Sequence, residues 1–251
     1  MKKTLSTQQA MRYSRHILLS GFDLDRQEIL INANVAIIGV GGLGCAAAQY
    51  LAASGVGKLT IVDDDVVENT NLQRQVLHTE SAIGLKKVDS AYTSLTKLNS
   101  EIDITCIDKR QSETELMGLV KTHDLIVDCS DNIETRNLIN KCSYAKKTPL
   151  VSGAAIRMEG QVFCVVPEQG SACYACISQF FGEQNLSCVE SGVMSPLVGV
   201  IGATQAIEAI KILTNYGTPA INKLCLYDAM TAKWNEFAVK RSDSCSVCGK
   251  T

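Results

Sequence analysis

The chain has 251 residues, 46% of them hydrophobic, and a formal net charge of -2. That length can bury a sizeable core, and a balance so near neutrality leaves no electrostatic footprint for nucleic acid. Met1-Lys2-Lys3 leads into polar residues rather than an apolar run, so no export leader is predicted and the expected location is cytoplasmic.

Thr7 to Ser20 and Asp23 to Asn32 are predicted as two helices outside any sheet. From there strand signals near Val35, Leu59, Ile102, Leu125 and Leu150 alternate with helical patterns at Leu43 to Ala53, Lys86 to Leu98, Ser112 to Lys121 and Ile133 to Lys146. This alternation predicts an α/β fold with a doubly wound, mostly parallel, Rossmann-like sheet. Ser112 and Glu115 have capping-box spacing at the start of one helix. After Gln161 the pattern changes to an extended run over Val162 to Val166, a cysteine-bearing loop, a long apolar helix and a hairpin over Leu224 to Tyr227 and Trp234 to Val239. The long segment, Pro196 to Leu213, contains Gln205, Glu208 and Lys211, which makes it a poor membrane span. Its Gly199, Gly202, Ala203 and Ala206 permit close packing against a neighbour, and a second subunit is one candidate. The whole chain, 1–251, is expected to be one unit, with a nucleotide-binding core over 1–166 and an antiparallel extension over 167–251.

The first chemistry-bearing motif is Gly39-Val40-Gly41-Gly42-Leu43-Gly44, directly after the apolar run Val35 to Ile38 and opening a helix. Strand, glycine turn and helix in that order form a phosphate cradle, with Gly39, Gly41, Gly42 and Gly44 allowing close backbone approach and free N–H groups at the helix start. Asp63 ends the next strand, where a carboxylate can accept hydrogen bonds from a ribose. Up to this point a nicotinamide oxidoreductase fits equally well. Asn71-Leu72-Gln73-Arg74-Gln75 and Lys87 follow, and their two cations suit a triphosphate, whose charge grows on its β- and γ-phosphates as the α-phosphorus is attacked. Lys87 taken alone reads more simply as a solvated lysine on a helix face. A third piece, Asp128-Cys129-Ser130-Asp131-Asn132, stands at the end of another strand. Its two aspartates could hold Mg2+, and Asp131 also suits an N-cap.

Together with Arg12-Tyr13-Ser14-Arg15-His16, these motifs resemble the ubiquitin-activating superfamily in its bacterial MoeB/ThiF branch, over nearly the whole chain. Val151 to Gln161 and Cys188 to Met194 are similar to members that adenylate the small subunit of molybdopterin synthase, and less similar to the thiamine-pathway members. The resemblance implies ATP as substrate, bound by the glycine turn, Asp63, Asp65, Thr70, Asn71, Leu72, Gln73, Arg74, Lys87, Asp131 and Asn132. It also implies that Arg15 reaches the phosphates of a neighbouring subunit in a homodimer and that Asp131 holds Mg2+. The expected partner is a ubiquitin-like sulfur-carrier protein with a C-terminal Gly-Gly tail. Because the chain ends at Thr251 soon after Cys248, a separate protein is expected to donate the sulfur.

Eleven cysteines in a chain with no predicted leader should be reduced. Cys173-x-x-Cys176 and Cys245-x-x-Cys248 can wrap one structural Zn2+, with a redox pair as the rival reading. The resemblance also implies zinc there. Cys188 is a candidate for a covalent sulfur-transfer step, although no histidine or lysine is placed to activate it. Cys45, Cys106, Cys129, Cys142, Cys164 and Cys225 read as core residues, and His16, His78 and His123 as packing or hydrogen-bonding groups.

Overall fold

A computed structural model describes residues 2–179 and 191–249. Eight strands form one sheet: β1 (Asn34–Ile38), β2 (Lys58–Val62), β3 (Asp103–Ile107), β4 (Leu125–Asp128), β5 (Leu150–Ile156), β6 (Glu159–Val165), β7 (Lys223–Asp228) and β8 (Lys233–Ala238), in the order β3-β2-β1-β4-β5-β6-β7-β8. The first five are parallel, with Ile37 of β1 opposite both Ile61 of β2 and Val127 of β4. Such strands are apolar throughout because helices cover both of their faces. The last three are antiparallel: the β7–β8 hairpin was expected, whereas the antiparallel pairing of β6 on β5 was not. The doubly wound, mostly parallel reading is therefore borne out.

Two cores flank the sheet. On one face α3 (Asp23–Asn32), α4 (Gly42–Ala53), α5 (Lys87–Leu98) and the long α9 (Ser195–Thr214) cover Val35, Ile37, Leu59, Ile61 and Val127. On the other α6 (Glu113–Thr122), α7 (Ile133–Lys146) and α8 (Tyr174–Ser178) cover Ala36, Ile126, Leu150 and Phe163. The predicted capping box at the start of α6 is present, with Ser112 and Glu115 exchanging side-chain-to-backbone bonds. Helix α9 is long and apolar enough to cross a membrane, but it packs across α4, β5 and β6. Its Gln205 and Glu208 are buried and hydrogen-bonded inside the protein.

Two local expectations need correction. The single helix expected from Thr7 to Ser20 breaks into α1 (Thr7–Arg12) and α2 (Ser14–Ile17). Tyr13 lies between them with φ -95° and ψ 13°, drawn inward to cover Gly55 and to accept a hydrogen bond from Asn99 Nδ2 at 3.0 Å. The extended run placed at Val162 to Val166 begins earlier, at Glu159, because β5 turns back through Arg157-Met158 to pair with β6. The small residues of α9 also serve the chain itself. A Cβ on Gly202 would lie 2.2 Å from the Leu43 carbonyl oxygen, so α4 is its close neighbour.

Candidate functional site

The order β3-β2-β1-β4 puts the carboxyl ends of β1, β2 and β4 side by side where the chain reverses direction across the sheet, the place where open α/β sheets bind ligands. Around these ends lies a cavity of about 1550 Å³. It runs from Gly39, Gly41 and Gly42 past Asp63, Arg74, Lys87 and Asp131 to Tyr227 and Asn235 on the terminal hairpin.

The glycines of the turn are required for different reasons. Gly39 has φ +93°, a left-handed conformation, and a Cβ there would meet the Cys129 carbonyl oxygen at 2.8 Å. A Cβ on Gly44 would lie 1.9 Å from the Gly39 carbonyl oxygen, and one on Gly42 would lie 2.9 Å from Val198. Those three serve the packing of the turn against its surroundings. Gly41 is different, because its nearest neighbour would be Gln75 Nε2 at an ordinary 3.6 Å. It faces the cavity and caps α4, whose first turn receives no side-chain cap from it.

Asp63 closes the turn from below. Its Oδ2 accepts from Val40 N at 2.7 Å and its Oδ1 from Asp65 N at 3.0 Å. Burial pushes its carboxyl group above the usual range, opposed by the nearby Lys87 ammonium and by those two N–H donors. Lys87 is not the solvated helix lysine that its position alone suggested. Its side chain is 7% exposed, and its Nζ pairs with Asp65 Oδ2 at 2.7 Å beside the cradle. Arg74 is half-buried and braced by a bond from Nη1 to the Thr70 carbonyl at 3.2 Å.

At the end of β4 the structure separates the two aspartates. Asp128 is 1% exposed and fully engaged, accepting from Ser130 N at 3.0 Å, Ser130 Oγ at 2.6 Å and Ser152 Oγ at 2.8 Å. Arg136 Nη1 stands 3.8 Å from it. So occupied, Asp128 is no partner for Asp131 in holding a metal. Asp131 is exposed at the cavity wall. The N-cap of α7 is Asn132, whose Oδ1 accepts from Thr135 N at 2.9 Å, and not Asp131.

Among the candidate nucleotide contacts, Gly39, Gly41, Gly42, Asp63, Asp65, Arg74, Lys87, Asp131 and Asn132 line the cavity together. Gly44 stands behind the turn, and Thr70, Asn71, Leu72 and Gln73 form the loop that presents Arg74. Asn71 Oδ1 accepts from Glu68 N at 3.1 Å, and the Gln73 carbonyl accepts from Ser195 Oγ at the start of α9. Arg15 is exposed on α2, away from the cavity lining. Cys188 lies outside the described residues. Sequence reasoning passed over Gln75, Lys109 and Arg110 on the cavity wall, and Arg136 beneath it. Gln75 belonged to a motif already in view, whereas Arg136 reads in sequence as one more polar residue on a helix.

A second cluster joins the body to the C-terminal tail. Cys173, Cys176, Cys245 and Cys248 are buried with all four sulfurs within 4.8 Å of one another. Sγ to Sγ is 3.7 Å for Cys173 and Cys245, and 3.3 Å for Cys176 and Cys248. Tetrahedral zinc with bonds of about 2.3 Å separates its sulfurs by about 3.8 Å, so the donor set and spacing fit such an ion. The six other cysteines named as core are buried or half-buried, and the three histidines are engaged in local hydrogen bonds, as expected.

Comparison with known proteins agrees with this geometry. The chain is 52% identical to the molybdopterin-synthase adenylyltransferase of Escherichia coli, covering 98% of this chain and 99% of that protein. It is 42% identical to the sulfur carrier protein ThiS adenylyltransferase of the same organism, covering 95% of each. Among solved structures, E. coli MccB crystallised with ATP superposes with a TM-score of 0.83 at 29% identity, over 95% of this chain and 73% of that one. The ThiF family matches residues 13–247, and with a relative of this similarity along almost its full length the chain belongs to that family.

Proposed function

We propose that the protein is an adenylyltransferase that activates the C-terminal glycine carboxylate of a ubiquitin-like sulfur carrier, the small subunit of molybdopterin synthase, in molybdenum cofactor biosynthesis. Lys87 carries this reading. Its ammonium lines the cavity beside the glycine cradle, and its partner there is the exposed Asp65, so the cation stands where a phosphate can reach it. It suits a reaction in which negative charge grows on a departing pyrophosphate. A nicotinamide oxidoreductase leaves that cation, and the adenylyltransferase relatives, without explanation.

A terminal carboxylate has a pKa of about 3.5 and attacks phosphorus without a general base. The protein's task is therefore to hold the reactants in line and to stabilise charge. In this reading the glycine turn and the start of α4 seat the phosphates, Asp63 takes the ribose, and Lys87 with Arg74 stabilises the leaving pyrophosphate. Asp131, free of capping duty, would hold Mg2+, which supplies further charge neutralisation when bound. The cavity's continuation to Tyr227 and Asn235 leaves room for an extended carrier tail. Products are an acyl adenylate and pyrophosphate.

Residues 1–251 would act as one adenylation unit, with Zn2+ on Cys173, Cys176, Cys245 and Cys248 fastening the tail. Arg15 would serve the partner subunit's site across a homodimer. A separate donor would then supply sulfur, with Cys188 available for that later step. The second reading, activation of the thiamine sulfur carrier, is favoured by the relative that acts on ThiS. ATP–pyrophosphate exchange with each purified carrier tests both. Exchange with the molybdopterin synthase subunit alone is the expected result, exchange with the thiamine carrier alone would move the assignment, and exchange with neither would overturn it.

A further inference from the structure

Helix α7 starts at the nucleotide cavity and runs on to α8 and the cysteine cluster, and one of its side chains reaches that cluster with half of its amide unpaired. Asn140 is 1% exposed. Its Oδ1 accepts from Tyr174 N at 2.9 Å, the first N–H of α8, whose N-cap residue is Cys173. That bond fixes which way the amide points, because only its oxygen can accept. The nitrogen is left over: Nδ2 is buried and has no hydrogen-bond partner among the described residues.

A buried donor with no acceptor is destabilising, and native interiors hold few of them. Cys173 is what lies beside this one. Oδ1 binds the N–H that directly follows Cys173, so Nδ2 is held next to the same residue. Burial pushes the Cys173 thiol's pKa up, and the Asn140 side chain is the foremost of the groups that oppose the rise. A protonated thiol is a weak acceptor, whereas metal binding requires the thiolate, and four thiolates around Zn2+ make a doubly negative cluster that draws donors toward it. The tail already supplies the other side. Ser242 N donates to Cys176 Sγ at 3.5 Å, and the Arg241 guanidinium stands 6.0 Å over the ring of Tyr144, which packs against the cysteines.

We propose that Asn140 is a positioning residue of the cysteine cluster: its Nδ2 donates to the Cys173 sulfur when that sulfur is a zinc-bound thiolate, while its Oδ1 holds the start of α8. This rests on the zinc reading above and adds to it a group that cysteine spacing does not reveal. Arg136, one turn earlier on the same face of α7, donates to the Ser130 carbonyl beneath the nucleotide cavity. One helix face therefore secures both the end of β4 and the metal cluster.

The test is metal binding by the full chain, read by competition for Zn2+ with a chromogenic chelator and by the spectrum of the Co2+-loaded protein. Asn140→Asp keeps an acceptor for Tyr174 N and replaces only the donor, so it should weaken Zn2+ binding by about 10- to 100-fold, the usual cost of losing an outer partner of a metal ligand. A residue that merely caps α8 would tolerate that change, and Zn2+ affinity equal to wild type would overturn the proposal. Asn140→Leu is the second variant and brings no new charge. Loaded with Co2+, it should show its sulfur-to-cobalt charge-transfer band at longer wavelength than wild type, since a sulfur that loses a donor holds its lone pairs less tightly. An unmoved band would overturn the proposal, even where stability falls through the lost bond to Tyr174. Wild-type protein that takes up neither Zn2+ nor Co2+ would instead overturn the zinc reading itself, so the two failures are distinguishable.

Discussion

The ends of β2 and β4 solve one problem with different chemistry. Each has a carboxylate tied into the scaffold and another one at the cavity. At β2, Asp63 is held by two backbone N–H groups while the exposed Asp65 faces Lys87. At β4, Asp128 is held by Ser130, Ser152 and the Arg136 guanidinium while Asp131 is exposed. In both places the inner carboxylate shapes the loop that presents the outer one. The support differs: the β2 side relies on neutral hydrogen bonds and the β4 side on a buried ion pair. That difference predicts which substitutions unfold the protein and which silence it.

The largest effect is expected beneath β4. Arg136 also donates to the Ser130 and Gly153 carbonyls and to Ser152 Oγ, so Arg136→Ala would leave Asp128 charged, buried and short of its counterion. Breaking a buried pair in this way costs about 3–5 kcal/mol, and urea unfolding should read that loss. A loss below about 1 kcal/mol would mean that the β4 end does not depend on its ion pair. The glycine turn comes next. Gly44→Ala should cost roughly 1–3 kcal/mol or more, since its Cβ would collide with the Gly39 carbonyl. Gly41→Ala has ordinary contacts and should unfold like wild type, yet its methyl group would stand in the proposed phosphate seat and ATP titration should register the loss. Equal ATP affinity in that variant would refute the cradle.

Asp131→Ala separates shape from chemistry at β4. Because Asn132 is the cap, removing the exposed Asp131 carboxylate should change stability by no more than about 0.5 kcal/mol while abolishing pyrophosphate exchange. Asn132→Ala should cost about 1 kcal/mol through the lost cap. Retained exchange in Asp131→Ala would remove its assignment to Mg2+.

Much of this was legible in the chain. Apolar runs alternating with helical patterns specified the strands and their mostly parallel sense, and α7 begins and ends where its pattern predicts, at Ile133 and Lys146. Local patterns carry such information because burial repeats with the period of the element. What they could not carry was pairing across the fold. Nothing local distinguishes Asp128 from Asp131, or tells that Lys87 points inward, because both facts depend on groups that the topology brings from elsewhere: Ser152 and Arg136 for the first, Asp65 for the second. Tyr13 breaks its helix for the same reason, through an Asn99 far along the chain.

The smallest expected effect reads the two supports through pH. On the β2 side Val40, which donates to Asp63, accepts through its carbonyl from His78 Nε2 at 3.1 Å, and Ser90 Oγ lies 2.9 Å from His78 Nδ1. Burial holds His78 below the ordinary histidine pKa of 6.5, with Lys87 also disfavouring its charged form. The unfolded chain then takes up a proton near pH 6.5 that the folded protein refuses, so the stability contributed by neutral His78 is present above that pH and is lost as the pH falls. His123, lowered by burial near Thr60, adds in the same direction. Asp63, raised by burial, acts oppositely but only toward the carboxylate range, where the folded state keeps its proton more readily. The β4 support contains no histidine: its groups are Asp128, Ser130, Ser152 and Arg136. Urea midpoints should therefore fall between pH 7.5 and 5.5, and His78→Gln, which keeps a donor for the Val40 carbonyl, should flatten that slope by up to one proton. A slope unchanged in His78→Gln but removed in His123→Gln would locate the sensitivity outside the site and leave both strand ends equally indifferent to pH.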